Sequence, residues 1–174
     1  MTQIGRKVRE AIIARLSDTT RGFNAAYNSI AASYGIPPIN LNYTSLSQDF
    51  YIGQINADDL EKSGIFKYPF MALYVIDATN QNWQKFTKFS GNIRVNVDFW
   101  QSWGSLRGLH DFEVYGDVFE QAFVDVLNRE NNQNFGAPLV YNGDVVIKRG
   151  PVTLGGQNWR QRITATSLFQ VHTL

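Results

Sequence analysis

Histidine is the side chain most readily used for proton transfer near neutral pH, and this sequence has two, His110 and His172. A hydrolytic triad could pair one of them with Ser105 or Ser167 and an acid, yet neither serine sits in a G-x-S-x-G elbow. His110 falls where a helix is expected to begin and His172 on the polar side of the last strand, so both read as ordinary polar residues. Two carboxylate pairs are present, Asp58 with Asp59 and Glu113 with Asp117. An acid–base pair needs a cleft that pushes the two pKa values apart. The first pair instead occupies the opening turn of an expected helix, where the dipole favours anions, and the second lies on a polar helix face. There is no H-E-x-x-H, no cysteine, no EF-hand spacing, no G-x-x-x-x-G-K-[ST] and no G-x-G-x-x-G after a strand. No catalytic, metal or cofactor residue is assigned, and no enzyme activity is expected.

What stands out instead is charge and aromatic content. Residues 1–21 carry five basic and two acidic groups, residues 22–144 seven and thirteen, and residues 145–174 four and none. Either opposite patches lie side by side within one molecule, or copies meet positive to negative, since complementary potentials steer such contacts. The cluster Lys148, Arg149, Arg160 and Arg162 is small for a nucleic-acid groove, and only Trp159 interleaves it. Pairing of this cluster to an acidic neighbouring subunit or partner is expected instead, and the helix face carrying Glu113, Asp117 and Glu120 is either solvated or meets a basic neighbour. Aromatics make up 14% of the chain, more than one core of this size is expected to bury, and oligomer interfaces are enriched in them. A self-association surface is therefore expected.

A chain of 174 residues fits one domain, 1–174, able to bury roughly 70% of its unfolded surface. No apolar run reaches the roughly 18 residues of a membrane span. The N-terminal segment has no signal-peptide core, so an unexported protein in a reducing cytoplasm is expected.

The elements that would position these residues follow from periodicity. Ile4, Val8, Ile12 and Leu16 predict a helix over 3–17, and Phe23, Tyr27, Ile30 and Tyr34 a second, stopped by Gly35 and Pro37. Residues 36–67 read as an irregular insertion, with alternation in "INLNYTSL", a short strand in "DFYIGQI" and a helical turn in "NADDLEKSG". "YPFMALYVIDA" predicts a strand covered on both faces, "TNQN" a turn, and "GNIRVNVDFW" the half-buried return strand, with a bulge or bend at Gly91. The tip of this long hairpin, 79–90, is expected to project with Trp83, Lys85, Phe86, Lys88 and Phe89, a candidate subunit or tube contact.

Phe112, Phe119, Phe123 and Val126 predict a third helix over 111–129, where Gly116 would allow close approach to the sheet. Asn142-Gly143 reads as a hairpin turn, and Gly155-Gly156 as another. In the last strand Trp159, Ile163, Ala165, Phe169 and Val171 face one way, and Arg160, Arg162, Thr164, Thr166, Gln170 and His172 the other. The order implies an α+β domain, an antiparallel sheet with a long β-hairpin, helices on one face and a terminal strand.

With that order, the chain resembles the tail terminators of tailed bacteriophages, the family of the lambdoid minor tail protein U. The resemblance rests on "IGRKVREAIIARL", "YPFMALYVID", "GNIRVNVDFW", "DFEVYGDVFEQAFVDVL" and the closing "GGQNWRQRITATSLFQVHTL". It spans nearly the whole chain through pattern, without an invariant motif. It implies a homo-oligomeric ring, commonly a hexamer, that caps the tail tube protein, stops tube polymerisation and meets the head-completion or neck protein, and the sheath in contractile tails. Genomic DNA would pass through the lumen unread, no membrane or cofactor would be involved, and the protein would reside at the head-proximal end of the virion tail. The rival readings are another head–tail connector or tube-like virion protein, a small enzyme with an unrecognised site, and a non-viral α+β binding module.

Overall fold

The computed structural model describes residues 2–44, 47–56, 67–81, 90–103, 109–128, 139–155 and 158–172. Among these residues three helices and six strands follow in the order α1 (Thr2–Leu16), α2 (Phe23–Ser33), β1 (Phe50–Ile52), β2 (Phe70–Asn80), β3 (Ser90–Trp103), α3 (Leu109–Asn128), β4 (Leu139–Arg149), β5 (Thr153–Gly155) and β6 (Asn158–His172). The sheet runs β1-β2-β3-β6-β4, with β5 beside the start of β6. All pairs are antiparallel except β1 with β2. The long final strand is thus interior, bonded to β3 along one side and to β4 and β5 along the other.

The helices lie on one face because their apolar stripes match the odd-numbered residues of β3 and β6. Val8, Ile12 and Leu16 of α1 and Phe23, Tyr27 and Ala31 of α2 share one core with Val118, Phe119, Phe123 and Val126 of α3. Ile93, Val95, Val97, Phe99, Ile163, Ala165, Phe169 and Val171 form its floor. Phe119 is the hub: its ring stacks on Phe99 at 4.8 Å and Phe123 at 5.6 Å, and meets Phe23 edge-on at 5.6 Å. Such pairs add about 0.5–1.5 kcal/mol each beyond area burial, so one side chain couples α2, α3 and β3.

Helix α2 ends as the sequence predicts. Gly35 takes φ +66°, with its N–H on the Ala32 carbonyl and that of Ile36 on Ala31, the paired closure of a Schellman cap. The alternating "INLN" segment, by contrast, joins no strand. Asn28 donates to the Ile39 carbonyl at 2.9 Å and accepts its N–H at 2.7 Å, and Asn24 does the same for Leu41 at 2.9 and 3.1 Å. Two helix amides one turn apart thereby take the place of a neighbouring strand, satisfying backbone groups that would otherwise be orphaned.

Several expectations need correction. Thr79 and Asn80 pair with Asn92 and Gly91, so the hairpin arms run on through the first half of "TNQN", and Asn82 lies outside the described residues. Gly91 stays in register; a Cβ there would fall 1.9 Å from the Thr79 carbonyl oxygen, so this glycine permits close strand approach. The irregularity sits opposite, between Val75 and Asp77. Asn142-Gly143 is likewise no hairpin turn: β4 runs through it, with a bulge between Tyr141 and Val145 and Gly143 at φ +82°. The sheet ladder on β6 captured the sequence on both sides of the glycine. β2 is buried on both faces only over Phe70–Leu73 and opens beyond Tyr74. Most of the described aromatics, Phe23, Tyr27, Phe50, Phe70, Phe99, Trp100, Phe112, Phe119, Phe123, Tyr141 and Phe169, are buried in this chain, so aromatic content does not by itself signal an interface. The helical turn expected in "NADDLEKSG" and the turn at Gly156 lie outside the described residues.

Candidate functional site

The sheet face away from the helices is the candidate site, and it changes character along its length. At one end Tyr68, Phe70 and Trp100 form an aromatic row with Ile55. Phe70 stacks on Trp100 at 5.9 Å and meets Tyr68 edge-on at 5.2 Å. Two arginines of β6 lie over it, Arg160 with its Cζ 5.4 Å from the Tyr68 ring centre and Arg162 5.6 Å from that of Trp100. The register dictates this, since Arg162 faces Trp100 across β3, which faces Phe70 across β2. Cation–π attraction strengthens where the pair is shielded from water.

In the middle is a polar ladder. Thr166 donates to Asn96 at 2.7 Å, Asn96 to the Tyr74 hydroxyl at 3.1 Å, Tyr74 to Asp98 at 3.2 Å, and Thr164 to the other Asp98 oxygen at 2.6 Å. Five side chains from three strands form one bonded chain. Asp98 is 0% exposed, and burial raises its pKa against the opposing pull of the Thr164 hydrogen bond, the Arg162 charge and the Tyr74 hydroxyl. Burial likewise raises Tyr74. A half-buried network of this kind, with Asp98 fully buried within it, favours one strand register, because a slip would leave its members without their partners.

At the far end the face opens into a depression of about 570 Å³ lined by Ile76, Arg94, Asp144, Val145, Val146, Lys148, Thr166 and Leu168. Both bulges, at Ile76 and at 142–144, border it, as befits devices that re-aim side chains. Arg94 reaches Asp77 at 3.6 Å with both side chains about half exposed. Ile76 and Val146 are 46% and 55% exposed.

The acidic helix residues find their cation within the chain. Arg149 donates to Glu113 at 2.5 Å, Asp117 at 2.5 Å and Glu120 at 2.7 Å. These contacts raise its pKa, the Glu120 hydrogen bond most. Gly116 makes room: a Cβ there would stand 2.8–2.9 Å from the Arg149 guanidinium. The close approach read from the sequence is therefore to an arginine of β4, and the charge pairing is, for this cluster, intramolecular.

Of the residues singled out from the sequence, Arg160 and Arg162 lie on the open face, Glu113, Asp117 and Glu120 surround Arg149, and Trp83, Lys85, Phe86, Lys88 and Phe89 lie outside the described residues. Sequence reasoning missed the ladder of Tyr74, Asn96, Asp98, Thr164 and Thr166. Its signal was present as polar residues at alternate positions of two strands, and only their pairing made them one network.

Among the described residues no three His, Cys, Asp or Glu side chains gather as a metal site, and no helix is long and apolar enough to cross a membrane. No family model matches the sequence, and no curated protein matches it.

Proposed function

We propose that this protein is a ring-forming structural protein of the phage tail-terminator type, capping the tail tube, stopping its growth and joining the tail to head-completion or neck proteins. The observation that carries the reading is the open sheet face: four strands wide at the depression, with none of the three described helices packed on it and with Ile76 and Val146 exposed among Arg94, Asp144 and Lys148. A face with apolar groups among fixed charges suits a protein contact. The long β2–β3 hairpin and the succession of elements on which the family resemblance rests support the same reading. A closed ring would surround the DNA without base recognition and would work in the virion at the head-proximal end of the tail.

The test is to mix purified protein with tail tubes and image where it attaches. Attachment at one end only, as a single ring, is expected. Binding along the tube, stacking of many rings, or no attachment would overturn the reading. Deleting residues 82–90 asks whether the hairpin tip takes part; a deletion variant that still forms rings and caps tubes would exclude it.

A further inference from the structure

Resting on the reading of the open face as a protein contact, we infer that its aromatic end receives an acidic, extended segment of a partner polypeptide, held through carboxylates by Arg162 and the cations on either side of it. From Val145 to Leu174 the chain carries four basic residues and no acidic one. Arg149 points to α3 and is enclosed there by Glu113, Asp117 and Glu120. The other three, Lys148, Arg160 and Arg162, share the open face.

This end of the face is rich in donors and poor in acceptors. Arg162 and Lys148 are exposed, and among the described residues neither has an ion pair or a side-chain hydrogen bond. The Trp100 ring lies 5.6 Å from the Arg162 guanidinium, and such a ring limits the motion of the cation without using its N–H donors. Trp100 Nε1 and Ser102 Oγ are buried nearby with no partner among the described residues. The carboxylate of Asp98 also faces Arg162, but it is buried and already accepts from Thr164 and Tyr74. The acids of the far end lie well away. Asp77 pairs with Arg94, which stands opposite Leu168, about 20 Å along β6 from Arg162, and Asp144 precedes Lys148 by about 13 Å of strand.

The spacing suits an extended segment. Arg160 and Arg162 are about 7 Å apart on one strand, and Lys148, opposite Thr164, is a diagonal neighbour of Arg162 at a like distance. Carboxylates at alternate positions of an extended chain repeat at the same interval, and the planar guanidinium fork takes a carboxylate through two N–H groups. Nucleic acid fits less well. Phe70 and Trp100 are 0% and 6% exposed and offer no ring for a base to stack on, and a phosphate backbone is tracked by a longer run of cations.

The test uses the full chain and three dye-labelled probes of one length: a peptide alternating Glu and Ser, the same peptide with Gln for Glu, and single-stranded oligothymidylate. Fluorescence anisotropy is read at about 20 mM salt, where the Debye length is about 20 Å. The wild type should bind the Glu peptide about tenfold or more tighter than either other probe. Arg162→Glu and Lys148→Glu should each weaken that binding about tenfold. Arg162→Lys, which keeps the charge and loses the planar fork, should weaken it about threefold. Lys7→Glu makes the same charge change on the helix layer and should leave it unchanged. Lys148 makes no ion pair or side-chain hydrogen bond among the described residues, so its variant answers the question even where Arg162→Glu fails to fold. Equal binding of the Glu and Gln peptides, tighter binding of oligothymidylate, or a Lys148→Glu variant that binds like Lys7→Glu would overturn the inference. Tube capping is imaged separately. A wild type that caps tubes and ignores the peptide refutes this contact alone, and one that binds the peptide but leaves tubes uncapped refutes the ring reading alone.

Discussion

On the helix side of β3, Val95, Val97 and Phe99 are buried by side chains that arrive from α1, α2 and α3. On the other side of the same strand, Asn96 and Asp98 bond to their sheet neighbours Tyr74, Thr164 and Thr166, while Trp100 packs with Phe70, Ala72 and Ile55 beneath Arg162. The difference is one of what supplies stability. The first face gains from non-directional apolar burial and tolerates some repacking. The second depends on hydrogen bonds whose geometry holds only at one strand register.

The comparison can be strained first on the covered face. Phe119→Ala should lower unfolding free energy by about 3–5 kcal/mol in denaturant titration, because the hub ring cannot be replaced by collapse of three elements at once. A loss below about 1 kcal/mol would mean the aromatic cluster does not hold the layers together. Next, Gly91→Ala places a methyl against the Thr79 carbonyl and should cost about 1–3 kcal/mol. This effect acts through the backbone and so falls on both faces.

Smaller, but opposite in sign between backgrounds, is the effect of Gly116→Ala. Alanine gains about 1 kcal/mol of helix propensity over glycine, yet here it displaces the guanidinium from three carboxylates. In the native background the substitution should be neutral or destabilising; in an Arg149→Ala background it should stabilise by about 1 kcal/mol. A double-mutant cycle reads the coupling, and equal effects in both backgrounds would separate Gly116 from the arginine.

The subtlest prediction concerns the open face. Burial raises the Asp98 pKa in the folded state, so folding favours the neutral carboxyl. Its contribution is fully present below the unfolded value near 3.9 and is lost as pH rises through the folded value. Relative to the wild type, Asp98→Asn should therefore gain stability as pH rises across the acid range. A difference that is flat in pH, or that runs the other way, would show that the ladder's hydrogen bonds outweigh desolvation.

How legible these features were depends on their range in sequence. The stripes of α1, α2 and α3, the Gly35 closure and the two-residue beat of β6 were all readable, because each is set within about one to four residues along the chain. Gly116 was legible as a point of close approach, but its partner Arg149 lies 33 positions further on, and nothing local names it. Asn142-Gly143 carried a strong hairpin signal that was wrong, since local turn preference lost to the ladder that β6 offers on both sides of it.

The amino-acid order by itself determined an α+β chain with amphipathic helices, a long hairpin and a closing strand whose two sides differ in polarity. Only the tertiary structure decided that β6 is interior, that Asp98 is buried within a five-member ladder, and that Arg149 rather than a partner answers Glu113, Asp117 and Glu120. The reason is physical: side-chain periodicity is fixed by the covalent geometry of each element, whereas desolvation and hydrogen-bond partnership depend on which distant strands and helices come to lie beside it.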